Sequence, residues 1–181
     1  MMTTNRQHRD PVRNRAGDMI YGSFRERPQP DVHLSLFYRA LQVISGVIAI
    51  GLPIYFMFEI RNYDGQIPVH FDFEGNVTRT GPAIEAIISL VVIALCVLGL
   101  VILARYPRIM NYPVMLNERN VQHQYRYAMH LMIWVGVACA GVLVVMTFGW
   151  LAGWSMAWMW LPMAVMFAAM GYYVWRMFTT P

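Results

Sequence analysis

The chain contains no lysine, and charge of either sign is scarce: 14 arginines and 10 acidic residues make up 13% of its 181 residues. A water-facing domain carries roughly a quarter charged residues, so about half the expected polar surface is missing. With 57% apolar residues and a mean hydropathy of +0.41, the surface must be covered by something apolar, and lipid fits. Only two cysteines occur, Cys96 and Cys139, both inside apolar runs. They read as small buried hydrophobes, not as a disulfide framework. No Ser-His-Asp order, glycine-rich phosphate loop or paired-cysteine motif is present, so no enzyme is predicted. No acidic or basic side chain lies in the middle of any long apolar run. Such residues mark ion and proton pathways because they are costly to bury. Their absence argues against a proton-driven transporter or a charge-lined channel.

What is present divides the chain into an arginine-rich arm, residues 1–30, and a four-helix membrane domain, residues 31–181. The arm is rich in Arg, Asn, Pro and Gly and has no helical period, which predicts disorder or loose attachment. Its basic stretch is too long for a cleavable signal. Without aromatic stacking groups or a recognition fold, the net charge of +4 predicts no nucleic-acid partner. Beside a span, the arm reads as a topological anchor and a contact for anionic lipid.

Apolar runs predict spans at about 36–58, 84–104, 129–149 and 156–177, each long enough for a bilayer core. Asp31 is the expected N-cap of the first helix, and Pro53 is expected to kink its far end. Asn117 is the expected N-cap of the third, with Glu118 in its first turn. Between the first two spans, Ile67 to Pro82 alternates apolar and polar residues around Gly75-Asn76, a β-hairpin pattern. An isolated hairpin is marginal in water and should rest on the helix ends. Trp150, Trp154, Trp158, Trp160 and Trp175 cluster at the ends of the last span as an interfacial belt; an aromatic ligand box is the sharper alternative. Arginine is dense in the arm and in residues 105–128 and sparse in the hairpin loop, which places both termini in the cytoplasm and the hairpin outside.

Some residues could carry chemistry. His70, Asp72 and Glu74 would share one strand face and are the weak candidates for a metal; a solvated polar face is the plainer reading, so no metal or other cofactor is assigned. His123 and His130 lie on one helix face, with His33 near the first span, which would suit a haem only if opposing helices met at one depth. Gly136, Ala140 and Gly141 permit close helix contact, as in an accessory subunit of a larger assembly.

Two stretches resemble a known family. Pro68-Val-His-Phe-Asp-Phe-Glu-Gly, after the first span, is similar to the outer-loop signature of the bacterial SdpI-like membrane proteins. Asn111-Tyr-Pro, followed by Asn120 and Gln124-Tyr-Arg126, resembles their inner loop. The likeness covers roughly residues 37–150. That family adds a C-terminal membrane portion with its own motif, which is not found in these residues. The resemblance implies a multi-pass protein of the bacterial cell membrane that binds a membrane protein or peptide partner, with an immunity or signalling role. By position, it marks Pro68, His70, Phe71 and Gly75 outside. Inside it marks Asn111, Tyr112, Pro113, Asn120, Gln124, Tyr125 and Arg126. A non-enzymatic partner-binding protein is therefore expected, with an accessory subunit or a metal- or haem-bearing redox protein as alternatives.

Overall fold

A computed structural model describes residues 13–180. Four helices are long and apolar enough to cross a membrane: α1 (Leu36–Ile60), α2 (Ala83–Leu103), α3 (Val121–Ala152) and α4 (Trp160–Thr179), the last entered through a 3-10 turn at Met156–Met159. A two-stranded antiparallel hairpin, β1 (Gln66–Phe71) and β2 (Val77–Pro82), joins α1 to α2. A second 3-10 turn, Pro107–Ile109, lies in the α2–α3 connection.

The helices turn most of their apolar surface outward. At most 39% of the most apolar window of any span is buried within the protein, and residues such as Val47, Leu95 and Phe178 are more than half exposed. A soluble monomer does not tolerate continuous apolar patches of this size. The chain is an integral membrane protein, and lipid covers this surface. Inside the bundle, α3 is central and packs against α1, α2 and α4. Ala49, Phe56, Leu90, Val97 and Leu143 form the main buried cluster.

The small residues of α3 are used within this bundle. A Cβ on Gly141 would come within 3.0 Å of Pro162 Cβ on α4, and one on Gly136 within 3.8 Å of Leu100 Cβ on α2. Ala140 is buried at 2% exposure. The close approach that the sequence offered to a partner subunit is already occupied.

Helix starts depart from expectation for identifiable reasons. Asp31 does not cap α1, which begins at Leu36 after Ser35. The Asp31 backbone N–H instead donates to Gln122 Oε1 on α3 at 2.8 Å. Asn117 does cap, but one turn before α3 proper. Its Oδ1 accepts from the N–H groups of Arg119 and Asn120, both at 2.9 Å, while Asn120 Oδ1 accepts from the Asn117 N–H at 3.0 Å. This reciprocal pair satisfies orphan donors as a capping box does. It leaves Glu118 ahead of α3, not in its first turn. α1 passes Pro53, which is buried, and continues to Ile60.

The arm is not loosely held over residues 13–30. Ile20 bridges to Asn117, and the Tyr21 N–H donates to Leu116 O at 3.0 Å. Arg27 Nη1 donates to the carbonyls of Arg108 (2.8 Å) and Met110 (2.6 Å), and Asp18 pairs with Arg119 at 2.6 Å. Composition suggested disorder because these partners are mostly backbone carbonyls, which no composition rule counts. Residues 1–12, with Arg6 and Arg9, lie outside the described residues.

In the hairpin, Ile67 pairs with Gly81, Pro68 with Thr80, His70 with Arg79 and Phe71 with Val77, with a register irregularity on either side of His70. The turn is organised by Asp72. Its Oδ1 accepts from the N–H groups of Glu74 (3.0 Å) and Asn76 (2.8 Å), and its Oδ2 from the Asn76 side chain (3.0 Å). Gly75 closes the turn at φ +89°. The Asn76 bonds hold the Asp72 carboxyl below the usual carboxylate range. A folded-state pKa depressed in this way contributes stability above the unfolded value and loses it as pH falls through the folded one. The turn is therefore expected to loosen only below about pH 4. In Asp72→Asn that dependence should vanish. The Asn76 amide resonance followed by NMR checks this, and an acid-induced shift that persists in the variant would refute it.

Candidate functional site

Two polar centres lie at opposite ends of the bundle. At the hairpin end, a pocket of about 290 Å³ is bounded by His70 and Arg79 from the hairpin, Glu85 and Ser89 from α2, and Trp150 from α3. Arg79 meets Glu85 in a bidentate pair, Nη1 to Oε1 at 3.3 Å and Nη2 to Oε2 at 2.5 Å. Both side chains are more than a third exposed, so solvent screens the pair and it serves mainly to orient the guanidinium. The Ser89 hydroxyl donates to the Glu85 carbonyl at 2.9 Å, so its proton is committed to the helix backbone.

The hairpin is anchored to this end by tryptophans. The Trp150 indole N–H donates to Pro68 O at 2.6 Å, and that of Trp160 to Phe73 O at 3.3 Å. The Phe73 and Trp160 rings stack with centroids 6.2 Å apart. Gly75 sits against the 3-10 turn, where a Cβ would be 2.9 Å from Ala157 N. The tryptophans read from the sequence as an interfacial belt thus include two that grip the hairpin.

Of the marked residues at this end, His70 lines the pocket, Pro68 supplies the anchoring carbonyl, Gly75 makes the close approach, and Phe71 pairs with Val77. Asp72 and Glu74 do not join His70. Asp72 is the first residue of the turn, not the next one on the strand, so the alternation that would align three ligands stops at Phe71. Among the described residues no three His, Cys, Asp or Glu side chains converge on a metal-sized space. The histidines considered for haem are also dispersed. His33 and His123 are exposed, whereas His130 stacks on Tyr38 at 3.7 Å and meets the edge of Tyr173 at 5.8 Å.

At the arm end, most marked residues build the scaffold. Tyr125 is fully buried and donates its hydroxyl to Pro28 O at 3.1 Å. Gln124 is fully buried, its Nε2 donating to Met177 O at 2.9 Å while its Oε1 finds no partner among the described residues. Asn120 closes the capping pair and also donates to Met115 O at 3.1 Å. Tyr112 packs against Tyr125, with centroids 6.0 Å apart, and under the Arg27 guanidinium, which lies 5.4 Å from its ring centre. Burial pushes the Tyr112 hydroxyl above its usual range, with Tyr125 adding and Arg27 opposing. It stays neutral and donates to Pro107 O at 2.7 Å. Asn111 and Pro113 are exposed on the rim of a groove of about 680 Å³ between the ends of α2, α3 and α4. Arg126 is exposed.

Sequence reasoning missed four participants. Trp150 was masked by its belt position, and Arg27 by its place in the arm. Arg79 and Glu85 are six residues apart across a strand–helix junction, a spacing that no helix or strand period flags. No family model, curated protein or solved structure matches the chain.

Proposed function

We propose that this is a non-enzymatic receptor-like membrane protein of the SdpI-like type, which takes an extended peptide or partner segment on its hairpin. The observation that carries this reading is the asymmetry of the hairpin's two edges. On β1, Pro68 has no N–H to donate and its carbonyl is occupied by Trp150, so that edge is blocked. Among the described residues β2 has no further strand beside it, and Val77 to Thr80 are exposed. An exposed edge is a template for strand addition, in which main-chain bonds give affinity and neighbouring side chains give selectivity. His70 and the Arg79–Glu85 pair lie beside that edge and can read a polar or charged side chain of the peptide.

The distribution of arginine supports cytoplasmic termini in a bacterial cell membrane. Only Arg61 and Arg79 lie at the hairpin end of the described chain, the pattern of a segment exported across the membrane. The accessory-subunit reading loses one of its two supports, because Gly136 and Gly141 face neighbouring helices inside the bundle.

A photo-crosslinking side chain placed at Thr78 should give a discrete adduct in intact cells, whereas one at lipid-facing Leu95 should give none. Thr78→Pro, which removes a backbone N–H from the exposed strand, should abolish protection of the host against a secreted peptide toxin. No adduct at the hairpin, or equal adducts at both positions, would count against the reading.

A further inference from the structure

The arm end carries a second feature that the hairpin does not explain. A groove of about 610 Å³ opens between the docked arm and the end of α2, and Arg25, Arg105 and Arg108 line it. The ion pairs among the described residues are Arg79–Glu85 and Arg119–Asp18, so none of these three arginines is neutralised there. Arg108 Nη2 donates to Arg25 O at 2.7 Å, but its buried Nε has no acceptor. A buried unpaired donor on a cation is costly, and it marks a place where an acceptor from outside the chain would be welcome.

The groove also has apolar walls. Phe24, Tyr106 and Ile109 line it and are 53%, 57% and 58% exposed. Its depth in the membrane is fixed by α2, which ends at Leu103, so Arg105 and Arg108 fall where the hydrocarbon gives way to headgroups. Guanidinium groups match phosphate oxygens in bidentate geometry, and exposed aromatic and branched side chains suit the glycerol and upper acyl region. A free phosphate ion would use the arginines and leave the apolar walls bare.

From these observations we infer that the groove is a specific binding site for an anionic phospholipid, its phosphate held by Arg25, Arg105 and Arg108. The inference does not depend on the peptide-binding proposal, nor on which side of the membrane the arm occupies.

Native mass spectrometry of the full-length protein in detergent tests it, with phosphatidylglycerol and phosphatidylcholine offered together. Preferential retention of phosphatidylglycerol is expected, falling about fivefold for each arginine neutralised. Arg105→Gln is the safest variant, since the Arg105 side chain makes no hydrogen bond within the described chain; the triple variant with Arg25→Gln and Arg108→Gln should retain none above background. Arg61→Gln, at the hairpin end, should behave as wild type, and thermal unfolding of each variant reports whether the bundle is intact. Equal retention of the two lipids overturns the site, as does retention unchanged in Arg105→Gln. Complete displacement by excess inorganic phosphate would show that the groove takes the free ion and no lipid.

Discussion

Gly75→Val should detach the hairpin turn from the bundle while leaving the four helices in place. Two costs combine at this position. A φ of +89° is unfavourable for any residue with a Cβ, by about 1–2 kcal/mol, and worse for a branched one. The new Cβ would also stand 2.9 Å from Ala157 N and 3.4 Å from Met156 C. Both are backbone atoms that cannot swing aside, and overpacking of this kind costs a further ~1–3 kcal/mol. The Phe73–Trp160 stack and the Trp160 bond lie in the same contact, so they should go together. Helical circular dichroism should stay the same, while protease cleavage between Asp72 and Asn76 accelerates and the Thr78 adduct disappears. Gly75→Asn separates the two costs, since asparagine tolerates left-handed backbone but still carries the Cβ. If Gly75→Asn cleaves as slowly as wild type, the close approach to Ala157 is not a constraint.

Tyr125→Ala should release the arm at the other end. Tyr125 is fully buried in a cluster with Leu116 and Val121, flanked by Tyr21, Val32 and Tyr112, and its hydroxyl holds Pro28. Truncating a buried aromatic to alanine costs about 3–5 kcal/mol, whereas Tyr125→Phe forfeits only the hydrogen bond, about 1 kcal/mol. Among the described residues the arm has no helix or sheet of its own, so once that cluster opens only scattered backbone and ion-pair contacts remain. Trypsin cleavage after Arg25 should therefore be fast in Tyr125→Ala, intermediate in Tyr125→Phe and slow in wild type. Equal rates in all three would mean that the arm is held elsewhere. Loss of the arm also dismantles the lipid groove, because Phe24 and Arg25 form one of its walls. Phosphatidylglycerol retention should then fall in parallel with cleavage.

The sequence made the spans legible for a simple reason. Hydropathy over 20 residues depends on composition alone, and each run is bounded by arginine, proline or a polar loop. The hairpin was legible from alternation plus the Gly75-Asn76 turn, since both signals are local. What escaped were interactions with backbone carbonyls and pairs distant in sequence. Arg27 is anchored by the carbonyls of Arg108 and Met110, 81 and 83 residues away, and Trp150 by Pro68 O, 82 residues away. An acceptor that every residue possesses leaves no mark in composition. At the candidate site the same limit applied: His70 was visible, whereas Arg79, Glu85 and Trp150 joined it only through the fold. Asp31 shows the converse, since its local role as a helix cap was legible and a tertiary contact with Gln122 left that role unfilled.

The length of α3 has a mechanical consequence. Its 32 residues include Tyr125 near one end and Trp150 near the other, about 37 Å apart at helical rise. One grips the arm and the other the hairpin, and a helix hardly stretches along its axis. Strain applied to the hairpin must therefore tilt or slide this rod as a whole, and the torque is delivered to Pro28 and Met177 on the opposite side of the bilayer.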